Sequence, residues 1–370
     1  MKIVAFTGGG SGGHIFPGIA VAEEILKHEG YGVFWIGSNK GMDRDIVESA
    51  GLEFVGVPAG KLRRYFSYKT FSDFFRIIGG FFSSYRILKK RSPVLLFSKG
   101  GFVSVPPCIA ARFLKIPVIT HECDVTLGLA NKINSLFAKK LLLSFSRTYD
   151  FLSVKNKAKA IVTGNPVRKI FYSADKTRGL EFIGKFYDIS KNKLPVVLVT
   201  GGSMGAKTLN ELIESILPEI LDYCVLVHQR GKGNLSPVSY PGYVQLEFIT
   251  TQMADLLAAA DIVISRAGSN SVWETVTLGK PVILLPLEGS GTRGDQVDNS
   301  LYIQESGCGI MLSHYAKDEK LYPTSENLKR ILLDLLGNPE KLGIMSENAG
   351  KIIPENPAAI IASIILENEK

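Results

Sequence analysis

Little in these 370 residues points to thiol or metal chemistry. The four cysteines, Cys108, Cys123, Cys224 and Cys308, are scattered and form no C-x-x-C pair. That argues against a disulfide framework or a thiolate metal site and for a reducing compartment. No run of 18 apolar residues is apparent, so nothing is expected to span a bilayer. The early run Ile3-Val4-Ala5-Phe6 stops at Gly8, too short for the core of a signal peptide. The second predicted strand, Val33-Phe34-Trp35-Ile36, runs into Gly37-Ser38-Asn39-Lys40 without an acid. A dinucleotide fold would place a carboxylate there for the ribose. Acid is also scarce between residues 61 and 91, where Asp73 alone faces nine Lys and Arg.

The composition is that of a globular α/β protein, 45% hydrophobic and 21% charged. The length suits about two domains. A net charge of +8 favours acidic partners: nucleotide phosphates, nucleic acid or an anionic membrane.

The chain is organised around Thr7-Gly8-Gly9-Gly10-Ser11-Gly12-Gly13-His14. An apolar strand precedes it and a helical pattern, Phe16 to Leu26, follows. Such a turn lets backbone approach a ligand at positive φ, and the N–H groups of a helix start favour negative charge. His14, which titrates near neutrality, stands at its mouth. Gly8, Gly10 and Gly13 satisfy G-x-G-x-x-G, a weak match alone. Further strands are predicted at 53–57, 94–98, 117–120, 140–145 and 160–163, alternating with helices, which reads as a parallel doubly wound sheet. The loops after such strands share one edge, which should gather His14, Gly100-Gly101 and His121-Glu122.

The theme then restarts. Pro195 to Thr200 reads as a strand, Gly201-Gly202-Ser203-Met204-Gly205-Ala206 as a glycine turn and Lys207 to Leu221 as a helix. Ala206 stands where a Walker A loop needs glycine. Later strands are predicted at 223–227, 244–247, 261–264 and 281–285. Arg266, ahead of the helix opened by Ser269-Asn270-Ser271, suits a diphosphate. Glu274 either accepts ribose hydroxyls or complements the helix dipole. One glycine turn per domain suggests a ligand in a cleft between the two. The expected domains are 1–165, 166–345 and a terminal helix, 346–370, packing back on the body.

In the basic segment aromatics are interleaved, and Phe71, Phe74, Phe75, Ile78, Phe82 and Tyr85 fall at helical spacing. Part of this is a core-facing helix. The aromatics exceed one stripe, however. With Phe81, Arg76 and Arg86 they fit a surface lying in the headgroup region of an anionic membrane. Single-stranded nucleic acid would also use aromatics beside basic residues, but no RNA-binding module accompanies them, and no nucleic-acid partner is expected.

Six blocks occur in an order that resembles the MurG family of N-acetylglucosaminyltransferases: Thr7 to His14, Gly100 to Ser104, His121-Glu122-Cys123-Asp124 with Asn131-Lys132, Gly164 to Arg168, Gly201 to Ala206 and Arg266 to Glu274. The resemblance covers essentially the whole chain. It implies an α/β fold of GT-B type, two Rossmann-like parallel-sheet domains facing across a cleft. It implies UDP-GlcNAc as a donor consumed in the reaction, with no cofactor. The implied acceptor is undecaprenyl-diphosphoryl-MurNAc-pentapeptide (lipid I), reached from the cytoplasmic face of the inner membrane, with the cell-wall synthesis machinery as a further partner. By position, Ser11, Gly12 and Gly13 would line the donor sugar and diphosphate, with Arg168 and Ser203 also on the donor. Ile249 would hold the uracil through its backbone. Arg266, Ser269, Asn270 and Ser271 would cradle the phosphates, Glu274 the ribose, and Gln296 (or Asp295, one residue away) the GlcNAc hydroxyls. Asp124 and Asn131 would touch substrate. Asp124 and Cys123 depart from a common family form with Asn and Gln there, which makes Asp124 a candidate catalytic carboxylate. The implied reaction is an inverting displacement by the acceptor's C4 hydroxyl, with His14 as base, Glu122 or Asp124 as alternatives, and no metal. A related glycolipid synthase, a nicotinamide-dinucleotide protein and a membrane scaffold without catalysis are the other readings.

Overall fold

A computed structural model describes residues 1–60, 68–189, 193–202, 205–289 and 292–369, with side chains left aside over 68–72. The chain divides into two compact units. Unit 1 is Met1–Arg168 with Pro354–Lys370, and unit 2 is Lys169–Ile353.

Unit 1 is built on seven strands: β1 (Lys2–Thr7), β2 (Tyr31–Ser38), β3 (Glu53–Val57), β4 (Leu95–Ser98), β5 (Val118–Glu122), β6 (Lys140–Leu143) and β7 (Ala160–Val162). All pairs are parallel, in the order β3-β2-β1-β4-β5-β6-β7. Strands covered on both faces read as unbroken apolar runs, and Ile3-Val4-Ala5-Phe6 is such a run. Because side chains alternate, Val4 and Phe6 join Trp35, Phe97 and Ile15 on one face. Ala5 joins Phe34, Ile36 and Leu96 on the other, under Leu88 and Cys108.

The last helix, Pro357–Glu367, lays Ala358, Ile361, Ala362 and Ile365 into the first of these cores, beside helix Gly12–Leu26. One stretch, Pro339–Glu367, is long and apolar enough to cross a membrane by length and composition. It folds as two helices, Pro339–Ile352 and Pro357–Glu367, interrupted at Pro354 and assigned to different units.

Unit 2 repeats the plan with β8 (Val196–Thr200), β9 (Val225–Gln229), β10 (Tyr243–Leu246), β11 (Ile262–Ser265), β12 (Val282–Leu284) and β13 (Gly309–Met311). Its order is β10-β9-β8-β11-β12-β13, again all parallel. β13 was not expected. Three residues are too few for a periodic signal, and its place is set by pairing with β12.

Candidate functional site

In each sheet the strand order reverses once, between β1 and β4 and between β8 and β11. Ligands of open α/β sheets bind outside the strand ends at that point, and both glycine turns lie there.

In unit 1, Gly8 accepts the Trp35 indole N–H on its carbonyl, 2.9 Å away. Gly10, at φ 82°, donates its N–H to the Asp43 carboxylate at 2.9 and 3.2 Å, and the Ser38 N–H donates to the same group at 3.0 Å. Burial pushes the Asp43 carboxyl up, and these two N–H donors pull it back. A methyl group on Gly9 would fall 2.0 Å from Asp43 Oδ2, so glycine is required there. The turn is thus tied to the end of β2 by a carboxylate. Asp43 stands five residues beyond Ser38 with backbone donors on it, so it does not fill the place of a ribose carboxylate at the strand end.

Ser11 stands at the N-cap position of helix Gly12–Leu26 without a side-chain capping bond, and Gly12, Gly13 and His14 form its first turn. Ser11 and Gly13 are exposed, Gly12 and His14 half-buried. The turn after β4 presses on this one: a Cβ on Gly101 would meet the Gly9 carbonyl oxygen at 2.6 Å and the His14 ring at 2.8 Å. Arg168, the last residue before the division, places its guanidinium 5.1 Å from the Phe16 ring centroid on the same helix. A cavity of about 370 Å³ opens beside the turn, lined by Gly10, Lys40, Asp43 and Phe102, and by Asp73 and Arg76 of the basic aromatic helix.

β5 runs two residues further than expected, through His121 to Glu122. The Glu122 carboxylate accepts four hydrogen bonds, from the N–H of Cys123, Asp124 and Gly128 and from Asn131 Nδ2, at 2.9 to 3.1 Å. Burial, then the charge of Asp124, pushes it up, and these donors oppose the shift. Asn131 is equally engaged: its Nδ2 also reaches the His121 carbonyl, and its Oδ1 accepts the Thr120 hydroxyl. Both residues therefore act as struts of the loop that presents Asp124, itself nearly buried. Ligand atoms of Glu122, Cys123 and Asp124 lie within 4.8 Å of one another, a cluster not legible as a metal motif. A cation there would have to displace the N–H donors on Glu122.

The basic aromatic helix is Tyr68–Arg91. Phe74, Phe75 and Phe82 are 55%, 57% and 56% exposed, while Phe81 turns inward against Tyr85 and Phe113. Arg86 is exposed, and Arg76 is half-exposed and paired with Asp73. The side chain of Phe71 lies outside the described residues, as does Ser203 in the second glycine turn.

In unit 2, Gly205, at φ 73°, folds against Arg230, where a Cβ would lie 2.0 Å from the carbonyl oxygen. Gln229, at the end of β9, donates to the Gly202 carbonyl at 3.0 Å and accepts the Ile249 N–H at 2.9 Å, so one carboxamide joins the turn to the Ile249 loop. Arg266 follows β11 and donates to the Leu285 and Pro286 carbonyls at 3.0 and 3.1 Å and to Thr208 at the start of helix Lys207–Ile220. Ser269, Asn270 and Ser271 open helix Ser269–Thr277, with Glu274 one turn in and half-buried. Gln296 lies in the first turn of helix Asp295–Glu305, its Oε1 accepting the Leu287 N–H; Asp295 pairs with Arg293. Asn299 ties that helix to the Ala267 carbonyl. His14, Glu122, Asp124, Asn131 and Arg168 therefore share unit 1, and Ile249, Arg266, Ser269–Ser271, Glu274 and Gln296 share unit 2.

Sequence reasoning missed Asp43, Lys99 and Gln229. Asp43 and Gln229 lie in segments with no motif around them. Lys99 had a signal: a lysine directly after an apolar strand and before Gly100-Gly101.

Two parallel sheets that share one order over six strands, each with a glycine turn at its reversal point, make a fold of GT-B type. Residues 4–143 match the glycosyltransferase family 28 N-terminal domain and residues 196–359 its C-terminal domain. The UDP-N-acetylglucosamine–N-acetylmuramyl-(pentapeptide) pyrophosphoryl-undecaprenol N-acetylglucosamine transferase of Treponema denticola is 45% identical over 99% of this chain and 97% of that protein. The protein of the same name from Treponema pallidum is 47% identical over 86% of this chain and 84% of that protein. Among solved structures, MurG of Acinetobacter baumannii aligns with a TM-score of 0.75 at 25% identity, over 99% of this chain and 100% of that one. A UDP-GlcNAc 2-epimerase from Neisseria meningitidis shares the fold at 16% identity and a TM-score of 0.68, over the full length of both chains. The chain belongs to the MurG family of glycosyltransferase family 28.

Proposed function

We infer that this enzyme transfers GlcNAc from UDP-GlcNAc to the C4 hydroxyl of undecaprenyl-diphosphoryl-MurNAc-pentapeptide, with inversion, forming lipid II for peptidoglycan synthesis. The observation that carries this is the 45% identity to the Treponema denticola transferase along 99% of the chain. The donor is a substrate, and no cofactor enters the reading.

We place the uridine diphosphate on unit 2. The N–H groups opening helix Ser269–Thr277 suit phosphate oxygens, and Glu274 offers two acceptors to the ribose. Ile249 would read the uracil through its carbonyl and through the N–H now held by Gln229. Gln296 would meet sugar hydroxyls through its Nε2. Arg266 is held by two carbonyls and Thr208, so its charge is fixed in advance of the diphosphate leaving, the form of stabilisation that needs no reorganisation. Ser11, Gly12, Gly13 and Arg168 on unit 1, and Ser203 of the second turn, stay candidate donor contacts by the family resemblance.

The displacement needs a base on the acceptor hydroxyl. His14 is our first assignment: its ring lies where the turns after β1 and β4 meet, and imidazole titrates in the useful range. Asp124 is the second. Glu122 suits the role least, because four donors already occupy its oxygens.

The acceptor would approach from an anionic membrane on the cytoplasmic face. Phe74, Phe75 and Phe82 present apolar surface beside Arg86, Lys89 and Lys90, with Arg76 paired to Asp73, each of those first three cations contributing roughly 1 kcal/mol near such a surface. Asp73 and Arg76 of this helix also line the cavity beside the first glycine turn, which would lead the lipid diphosphate toward it. Radiolabelled GlcNAc should pass to lipid I and not to diacylglycerol. Transfer to diacylglycerol alone would make this a glycolipid synthase, and transfer to neither would refute the reading.

A further inference from the structure

Lys99 follows β4 directly and has no surface in contact with solvent. Its stem runs under the first glycine turn: a Cβ on Gly8 would lie 3.1 Å from the Lys99 Cβ, and one on Gly18 3.6 Å from its Cγ. The ammonium emerges at the end of β5, 2.7 Å from Nδ1 of His121, the penultimate residue of that strand, and past the end of β7, 2.9 Å from Asn165 Oδ1. His121 Nε2 in turn lies 3.0 Å from the Gly164 carbonyl oxygen.

These partners admit one protonation of the ring. A carbonyl only accepts, so Nε2 carries the hydrogen; an ammonium only donates, so Nδ1 is bare. Neither direct acceptor of Lys99 carries a charge. Burial weighs against the ammonium more than the charges of Glu122 and Asp124 support it, so an apolar side chain of this length would suit the core better. The lysine's donors therefore need a use.

We propose that Lys99 is a positioning residue for the transfer reaction, its ammonium clamping His121 and Asn165 so that the chain beyond β5 and the chain beyond β7 are held in one register beneath the glycine turn. The proposal rests on reading unit 1 as the place where the acceptor hydroxyl is activated. From His121 the chain continues into Glu122 and Asp124; from Asn165 it continues through Pro166 and Val167 to Arg168. Without the clamp each segment settles by its own contacts. Small misplacements of reacting groups cost rate more than they cost affinity for a nucleotide bound elsewhere.

Lys99→Met keeps the stem and removes the donors. In the folded variant, kcat onto the lipid acceptor should fall at least about tenfold, and by a larger factor than KM for UDP-GlcNAc rises through Arg168. Asn165→Leu removes one acceptor and should lower kcat in the same way. Imidazole nitrogen spectra supply a readout that lost packing alone would not move: wild-type His121 should show only the Nε2–H tautomer from pH 6 to 8 with Nδ1 shifted by its donor, and Lys99→Met should keep that tautomer while the Nδ1 resonance moves to that of a nitrogen accepting no hydrogen bond. Wild-type kcat in either folded variant, or an Nδ1–H tautomer in the wild type, would overturn the clamp. A wild type that moves no GlcNAc would instead strike the functional reading, and the spectra would then decide the clamp by themselves.

Discussion

His14, Glu122 and Asp124 are three candidate bases that the structure treats differently. Glu122 accepts from four donors, so Glu122→Gln turns an NH₂ group toward N–H groups and leaves them unmatched. A buried unmatched donor costs about 1–3 kcal/mol, and urea titration should show a loss of that order. Asp124→Asn should act on kcat, read in the same transfer assay. His14→Ala should lower kcat by about 10² or more; an unchanged kcat in the folded protein removes His14 from the role. Gly9 makes the same point about backbone. Its glycine is legible in the sequence, but the reason for it, an Asp43 oxygen 2.0 Å from where a Cβ would be, is not.

At the level of elements, helix Tyr68–Arg91 separates two jobs that its sequence blends. Phe74, Phe75 and Phe82 stand out from the body, whereas Phe81 packs beside Leu88 and Cys108. Replacing the first three with Ser should abolish sedimentation with anionic vesicles and leave the melting temperature nearly unchanged. Phe81→Ser should do the reverse. If the triple variant pelleted as well as wild type, the membrane assignment for this face would fail. Helical periodicity identified the helix and its basic character. Periodicity could not say which aromatics face outward, because that depends on helix Val105–Phe113 lying against it. Helix Pro357–Glu367 teaches the same lesson. Its apolar face reads as packing back on the body without saying where, and its contact with helix Gly12–Leu26 supplies the place. Ile361→Ala should destabilise unit 1 by about 2–5 kcal/mol, read by calorimetry.

Across the whole molecule, stability should depend on two buried histidines. Burial first, then a neighbouring cation, lowers both: Lys99 beside His121, and Arg230 beside His228, which falls to about 3. Unfolded, each titrates near ~6.5. Below that pH the unfolded chain takes up protons the folded chain refuses, so this stability is complete above about pH 6.5 and drains as the pH falls. The loss is about 1.4 kcal/mol per pH unit for each histidine. Urea midpoints at pH 7.0 and 5.5 should differ accordingly, and His228→Gln should remove its share of the slope. Equal midpoints for the wild type would show that the two rings are not held neutral.

The sequence by itself determined the doubled strand, glycine turn and helix, the parallel sheets and the family, because glycine and apolar periodicity are local requirements of backbone and solvent. Only the tertiary structure decided that Asp43 holds the first turn, that Glu122 and Asn131 are struts, and that Lys99 reaches His121 and Asn165. Those pairings join residues 9 to 66 positions apart, and which side chain meets which across that span is fixed by the order in which the strands lie, which no short stretch encodes.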